Sequence, residues 1–204
     1  MTPRPETEGP KGSRKRHKLF NGRDLTGWQM TGPGGFVVED GALKTQGGMG
    51  LLWFTESKVG NAVLRVVYRV SRAEDNSGVF IRIDEPPPNP WYAVHHGYEV
   101  QILAAAGEWH RSGCIYSLSR ALAGVQKPPG KWNEMEIVMR GQIVEVTLNG
   151  TLVTTFDPAG ELPPRRLVYE PERSPRPEYG YVGLQNHDDD SVVHFREVSV
   201  APLP

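Results

Sequence analysis

The sequence predicts an all-β fold, a two-sheet antiparallel β-sandwich of the jelly-roll kind. Three observations lead there. The 204 residues include 23 glycines and 18 prolines, and in a helix interior Gly costs roughly 1 kcal/mol and Pro roughly 3 relative to Ala. Apolar residues recur with a period of two along most of the chain, the pattern of half-buried strands. No stretch of useful length carries the 3.6-residue period of an amphipathic helix; only 118–124 reads as a short helical turn. A chain this long buries roughly 70% of its unfolded surface. It therefore needs one core, and it divides into a basic arm, 1–18, and a single domain, 19–204.

Strands are expected first at 36–38, 42–45 and 50–54. In 62–70, Leu64, Val66, Tyr68 and Val70 share one face, and Arg65, Val67 and Arg69 the other. In 78–84, Val79, Ile81 and Ile83 oppose Phe80, Arg82 and Asp84; in 97–103, Tyr98, Val100 and Ile102 oppose Glu99, Gln101 and Leu103. Met135, Ile137 and Met139 oppose Glu134, Glu136 and Arg140. Asn149-Gly150 then joins Val144, Val146 and Leu148 to the run 151–156. That dipeptide is the signature of a two-residue hairpin whose central residues need positive φ. In 180–185, Val182 and Leu184 point inward. Val193 and Phe195 are one residue out of phase with Val198 and Val200, so a bulge is expected near Arg196-Glu197. Two proline-rich loops, Asp84–Pro90 and Pro158–Pro177, carry no strand pattern; the longer is of a length that compact domains reserve for functional or disordered segments.

Charge excludes several roles. The net charge is −1, which offers nucleic acid no general attraction. Residues 1–18 hold six basic and two acidic side chains, net +4, leaving −5 over the rest. The run Arg14–Lys18 fits a nucleic-acid or membrane-surface patch, or a solvated terminal arm, and the second reading is favoured. Cys114 is alone, which excludes an intrachain disulfide and a cysteine-based zinc site; in Gly113-Cys-Ile-Tyr116 it reads as a small buried hydrophobe. No apolar leader follows the N-terminal charges and no apolar run could span a membrane, so the expected location is cytoplasmic.

Strand phase then selects the polar groups that share a surface. Glu99 and Gln101 project together, Arg82 takes the polar phase of its strand and Gln185 that of 180–185. These four suit a polar binding floor with one carboxylate; an ordinary solvated sheet face has the same pattern. Trp91, Tyr92, Trp109, Tyr116 and Trp132 surround these strands, and flat rings beside polar groups suit carbohydrate, although Trp132 reads as core or rim. His95, His96, His110 and His187 fall near the same strand ends. His187 followed by Asp188, Asp189 and Asp190 has the composition of a metal loop, since carboxylates suit calcium, or of an exposed acidic turn. HExxH, GxSxG, a phosphate-binding Gly loop and the dinucleotide fingerprint are all absent.

Several segments together resemble one family. Leu19-Phe-Asn-Gly-Arg-Asp-Leu-Thr-Gly-Trp28 is similar to the opening of the 3-keto-disaccharide hydrolase domain. Asn76-Ser-Gly-Val-Phe-Ile-Arg82, Gly97-Tyr-Glu-Val-Gln-Ile102, Ser112-Gly-Cys-Ile-Tyr116, Lys131-Trp-Asn133, Val146-Thr-Leu-Asn-Gly150, Gly183-Leu-Gln185 and Phe195-Arg196 follow in the family's order. The resemblance spans 19–200 and implies a concanavalin A-like jelly roll that cleaves glycosides already oxidised at C3. One departure stands out: where many members continue with Ile-Leu-Asp, Leu103 is followed here by Ala104-Ala105-Ala106, leaving Glu108 as the nearby acid.

The chemistry so implied is elimination. A C3 ketone acidifies the C2–H; a base removes that proton, the C1 substituent leaves, and water adds back. That requires a base, an electrophile for the enolate oxygen and an acid for the leaving group, rather than the paired carboxylates of ordinary glycosidases. Glu99 is the expected base, Arg82 or a divalent metal the enolate stabiliser, and His110 the acid or second base, its ordinary pKa lying near neutrality. Gln101, Trp91, Tyr92, Trp109, Tyr116, Gln185 and His187 are the expected substrate contacts. The expected ligand is a carbohydrate, a 3-keto-glycoside, with no nucleic-acid or membrane partner. The competing class is a non-catalytic carbohydrate-binding module, because this fold hosts both.

Overall fold

A computed structural model describes residues 15–204. In chain order its elements are β1 (His17–Lys18), β2 (Trp28–Thr31), β3 (Gly35–Glu39), β4 (Ala42–Gln46), β5 (Gly50–Phe54), β6 (Ala62–Val70) and β7 (Ser77–Ile83). One helix among the described residues, α1 (Pro90–His96), precedes β8 (Tyr98–Ile102), β9 (Asn133–Arg140), β10 (Ile143–Leu148), β11 (Thr151–Phe156), β12 (Tyr181–Asn186) and β13 (Val193–Pro202). An eight-stranded sheet runs β11-β10-β9-β6-β13-β4-β3, with β1 added to β13; a five-stranded sheet runs β2-β5-β12-β7-β8. Every pairing is antiparallel.

The expected strand faces meet between the sheets. Leu64, Val66, Tyr68, Met135, Ile137, Val144, Val146, Phe195 and Val198 pack from the larger sheet against Val79, Ile81, Tyr98, Val100, Ile102, Val182 and Leu184. The phase break in β13 is the expected bulge: Phe195 pairs with Tyr68 but Glu197 pairs with Val67, leaving Arg196 as the additional residue. At the β10–β11 hairpin Asn149 and Gly150 have φ of 51° and 83°. Asn149 is also anchored, its Nδ2 donating to Val125 O at 2.9 Å and to Asn133 Oδ1 at 2.8 Å. Cys114 is buried, donating its Sγ–H to Trp109 O.

The structure departs from the sequence reading in four places. His17 and Lys18 pair with Val200 and Ser199, so the sheet begins inside the stretch read as an arm; residues 1–14 lie outside the described residues. Segment 118–124 is not helical: Ile115 bridges Ser119, and Leu122 N donates to Val153 O beside β11. The helix lies instead at 90–96. Asn89 caps it by accepting from Tyr92 N, Pro90 fills its first turn, where no N–H is needed, and Gly97 N closes onto Ala93 O. With only seven residues, its stability comes from burying Ala93 and Val94 on Leu51, Trp53, Phe80 and Ile83.

The fourth departure is in β7. Tyr181 pairs with Ile83 but Gly183 with Phe80, so β7 holds one more residue than β12 over this stretch. The additional residue is Arg82, at φ 57°. The bulge returns Ile83 to the same face as Phe80, beneath α1, and turns Arg82 away from it. It also brings its backbone against Gly180, where a Cβ would lie 2.4 Å from Arg82 C; only glycine allows that approach.

Candidate active site

The outer face of the five-stranded sheet is apolar at one end and polar at the other. Leu51, Trp53, Phe80 and Ile83 form the apolar part, covered by α1. Beyond it, Glu99 and Gln101 of β8 and Gln185 of β12 rise from strands on either side of β7. On β7, Gly78 pairs with Gln101, and its missing side chain makes the hollow. A Cβ there would stand 2.5 Å from Glu99 Oε1 and 2.7 Å from its Cγ.

This hollow is the floor of a cavity of about 250 Å³, at the small end of ligand sites. Its rim comes from separate segments. Trp91 and Val94 project from α1, Tyr116 from the chain after β8, Tyr169 from the 158–177 loop, Met49 from the β4–β5 turn and His187 from the end of β12. Trp91 and Tyr169 are each about half exposed, 48% and 47%, as rings at a cavity mouth would be. The loop that carries Tyr169 is fastened by Arg176, whose backbone N donates to the Tyr98 hydroxyl at 3.0 Å and whose Nε donates to Gly97 O at 3.1 Å.

Glu99 is only 7% exposed. Burial pushes its pKa up to about 8, with the neighbouring Gln185 amide pulling the other way. Gln101 is oriented by donating Nε2 to Asn76 Oδ1 at 2.7 Å, which leaves its Oε1 buried without a partner. Gln185 Oε1 is likewise buried and unpaired among the described residues. An unmet buried acceptor costs about 1–3 kcal/mol, so these oxygens favour a ligand rich in hydroxyl donors. Tyr116 remains a protonated donor. Its pKa is pushed up to about 12, first by burial and then by the charge of Glu99.

Of the residues expected in the site, Glu99, Gln101, Gln185, Trp91, Tyr116 and His187 converge on this cavity. Four do not. Arg82, turned over by the bulge, donates to Pro177 O and to Gly141 O in the β9–β10 turn; it ties the two sheets together rather than facing substrate. Tyr92 lies on another side of α1, stacked on His96 at 4.0 Å and bonded to Asp84 Oδ1 at 2.8 Å. Trp109 and His110 line a second cavity with Glu108, although the His110 ring is 5.3 Å from that of Tyr116. Glu108 therefore does not replace the missing acid at this floor. Asn76, Gly78 and Tyr169 were missed. Asn76 and Gly78 belong to one of the motifs above, and a Gly inside an alternating strand signals a close approach.

The acidic turn is a poor metal loop. Asp188 Oδ1 accepts from the backbone N of Asp190 and Ser191, and its Oδ2 contacts His187 Nδ1 at 2.7 Å. Among the described residues no three His, Cys, Asp or Glu side chains gather around one point. With Asp188 so committed, the acidic turn does not offer a carboxylate cage for calcium.

Residues 15–201 match the 3-keto-alpha-glucoside-1,2-lyase-like domain. The chain belongs to this family. A solved structure of a candidate glycosyl hydrolase from Parabacteroides distasonis superimposes with a TM-score of 0.77 at 24% identity, covering 93% of this chain and 100% of that one. A Bacillus subtilis protein with a galectin-like fold gives 0.65 at 13% identity, over 92% and 94%. The carbohydrate-binding module CBM66 of Bacillus subtilis gives 0.56 at 13%, over 84% and 93%. These likenesses establish the jelly-roll sandwich. No curated protein matches the sequence.

Proposed function

We propose that this family member cleaves 3-keto-α-glucosides by 1,2-elimination, with Glu99 as the base that takes the C2 proton. One observation carries the reading: a single buried carboxyl, its pKa raised to about 8, stands between two unpaired amide oxygens at the bottom of a cavity sized for one sugar ring. A carboxylate raised this far is a stronger base than an ordinary one and still ionises near neutral pH.

The proton at C2 passes to Glu99, and its bonding pair forms the C2–C3 enolate. That pair then makes the C1–C2 double bond as the C1–O bond breaks and the C3 ketone returns. Tyr116, on the side of the cavity facing His110, hands a proton to the departing oxygen. His187, at the cavity rim, can donate a hydrogen bond to the enolate oxygen. Water added across C1 and C2 completes net hydrolysis. Gln101 and Gln185 accept hydrogen bonds from sugar hydroxyls, and Trp91 and Tyr169 flank the ring.

Incubation with methyl 3-keto-α-glucoside tests the proposal. Methanol and an enone or 3-keto-glucose should appear with the wild type and fall at least ~10²-fold with Glu99→Gln. Equal turnover by the variant removes Glu99 from the mechanism. The half-exposed aromatic pair at the rim also favours a second reading, a carbohydrate-binding module. Tight binding of unoxidised glycans without any product would establish it.

A further inference from the structure

A second cavity of about 350 Å³ adjoins the Glu99 cavity. The two share walls made of consecutive residues. Tyr116 lines the first and Ser117 the second; Tyr169 lines the first and Glu170 the second. The ring of His110, which lines the second, stands 5.3 Å from that of Tyr116, which lines the first, so the second cavity lies across this ring pair, on the side of the residue that protonates the leaving group.

Its lining is unlike the first. Trp109, Pro163 and Pro164 supply flat apolar walls. The Arg120 guanidinium stacks over one face of the Trp109 ring, 5.6 Å from its centre. Glu170 is already neutralised: Oε2 accepts from Arg173 Nη2 at 2.8 Å and from Arg166 N at 2.9 Å. Arg173 spends its other donors on Pro163 O and Pro171 O. The Arg166 guanidinium, by contrast, makes no hydrogen bond or ion pair among the described residues, and it lines the cavity. Flat walls with one uncommitted cation suit an aromatic ring that bears an anionic group.

We infer that this second cavity receives the leaving group of the glycoside, an aromatic alcohol carrying an anionic substituent. The inference rests on the Glu99 cavity holding the sugar ring. It gives Trp109, displaced from the sugar site, a place against the aglycone, and it assigns Arg166 to the anionic group.

Two measurements separate the inference from the reading on which it rests. The first compares kcat/KM for the 3-keto-α-glucosides of 4-hydroxybenzoate and of methanol. The wild type should prefer the aryl substrate, and Trp109→Ala and Arg166→Ala should each lower the aryl-to-methyl ratio about tenfold, with Trp109→Phe restoring most of it. Variants that lower both substrates equally, or a wild type without preference, would overturn the inference while leaving the sugar site standing. The second titrates free 4-hydroxybenzoate into the intact protein, followed by tryptophan fluorescence and calorimetry. Saturable binding weakened by Arg166→Ala supports the cavity even if no glycoside is turned over; absence of binding by the wild type refutes it.

Discussion

Gly78 lies diagonally across β7 and β8 from Glu99, and a single methyl group on Gly78 would fall 2.5 Å from Glu99 Oε1. The empty side-chain position of one residue is the space the carboxyl occupies. Gly78→Ala should therefore displace Glu99 rather than merely tighten the sheet. We expect turnover to fall at least tenfold and stability to drop by about 1–3 kcal/mol, the usual range for overpacking. Steady-state kinetics alongside thermal melting checks both. A variant with wild-type turnover would show that the position of the carboxyl is immaterial.

Glu99 also sets a pH profile. Because the base must be ionised and its pKa is pushed up to about 8, kcat/KM should rise about tenfold per unit between pH 6 and 7.5. It should level off above about 8. A plateau already reached at pH 6 would contradict a buried base.

The same group links pH to stability, with the opposite trend. Its folded pKa, about 8, lies above the ordinary 4.5, so between these values the folded chain holds more protons than the unfolded one. This contribution is complete below 4.5 and is lost as pH rises to about 8. Glu99→Gln lacks the titration. The melting temperature of the variant minus that of the wild type should grow from pH 4.5 to 8 and stay constant beyond. A difference that shrinks across that window would show that the carboxyl is not desolvated.

Arg82 should behave as a brace. Substitution by Ala leaves the carbonyls of Pro177 and Gly141 without their donor. With charged donors contributing about 1.5–3 kcal/mol per bond, a loss of roughly 3 kcal/mol is expected in chemical denaturation. Turnover per folded molecule should change less than threefold. A hundredfold loss of kcat in a fully folded Arg82→Ala protein would restore Arg82 to the chemistry.

Much of the sandwich was legible because period-two alternation fixes both the strand and its face. Tyr98, Val100 and Ile102 go inward, and Glu99 and Gln101 outward, as read. The β13 bulge was legible as well, since a phase slip between Phe195 and Val198 leaves apolar residues on both sides to reveal it. In β7 the same device was hidden: Ile83 is apolar in either register, and Phe80 and Ile83 find an apolar partner in α1. Nothing in the alternation reports that Arg82 has turned over. The helix escaped notice because it is shorter than the window in which a 3.6-residue period can be seen. Its caps, Asn89-Pro90 and Gly97, were readable but sat inside a proline-rich run. Tyr169 lies in a segment without periodicity, so only the fold brings it to Glu99.

The walls of the Glu99 cavity have a consequence for the architecture of any glycan that could enter. On many sandwiches a sheet face is an open trough along which a polymer can lie. Here α1, the 158–177 loop, the β4–β5 turn and the end of β12 stand around the polar floor on separate sides. With the sugar ring seated there and its leaving group in the second cavity, as proposed, a terminal unit should be released while internal linkages of a polysaccharide resist cleavage.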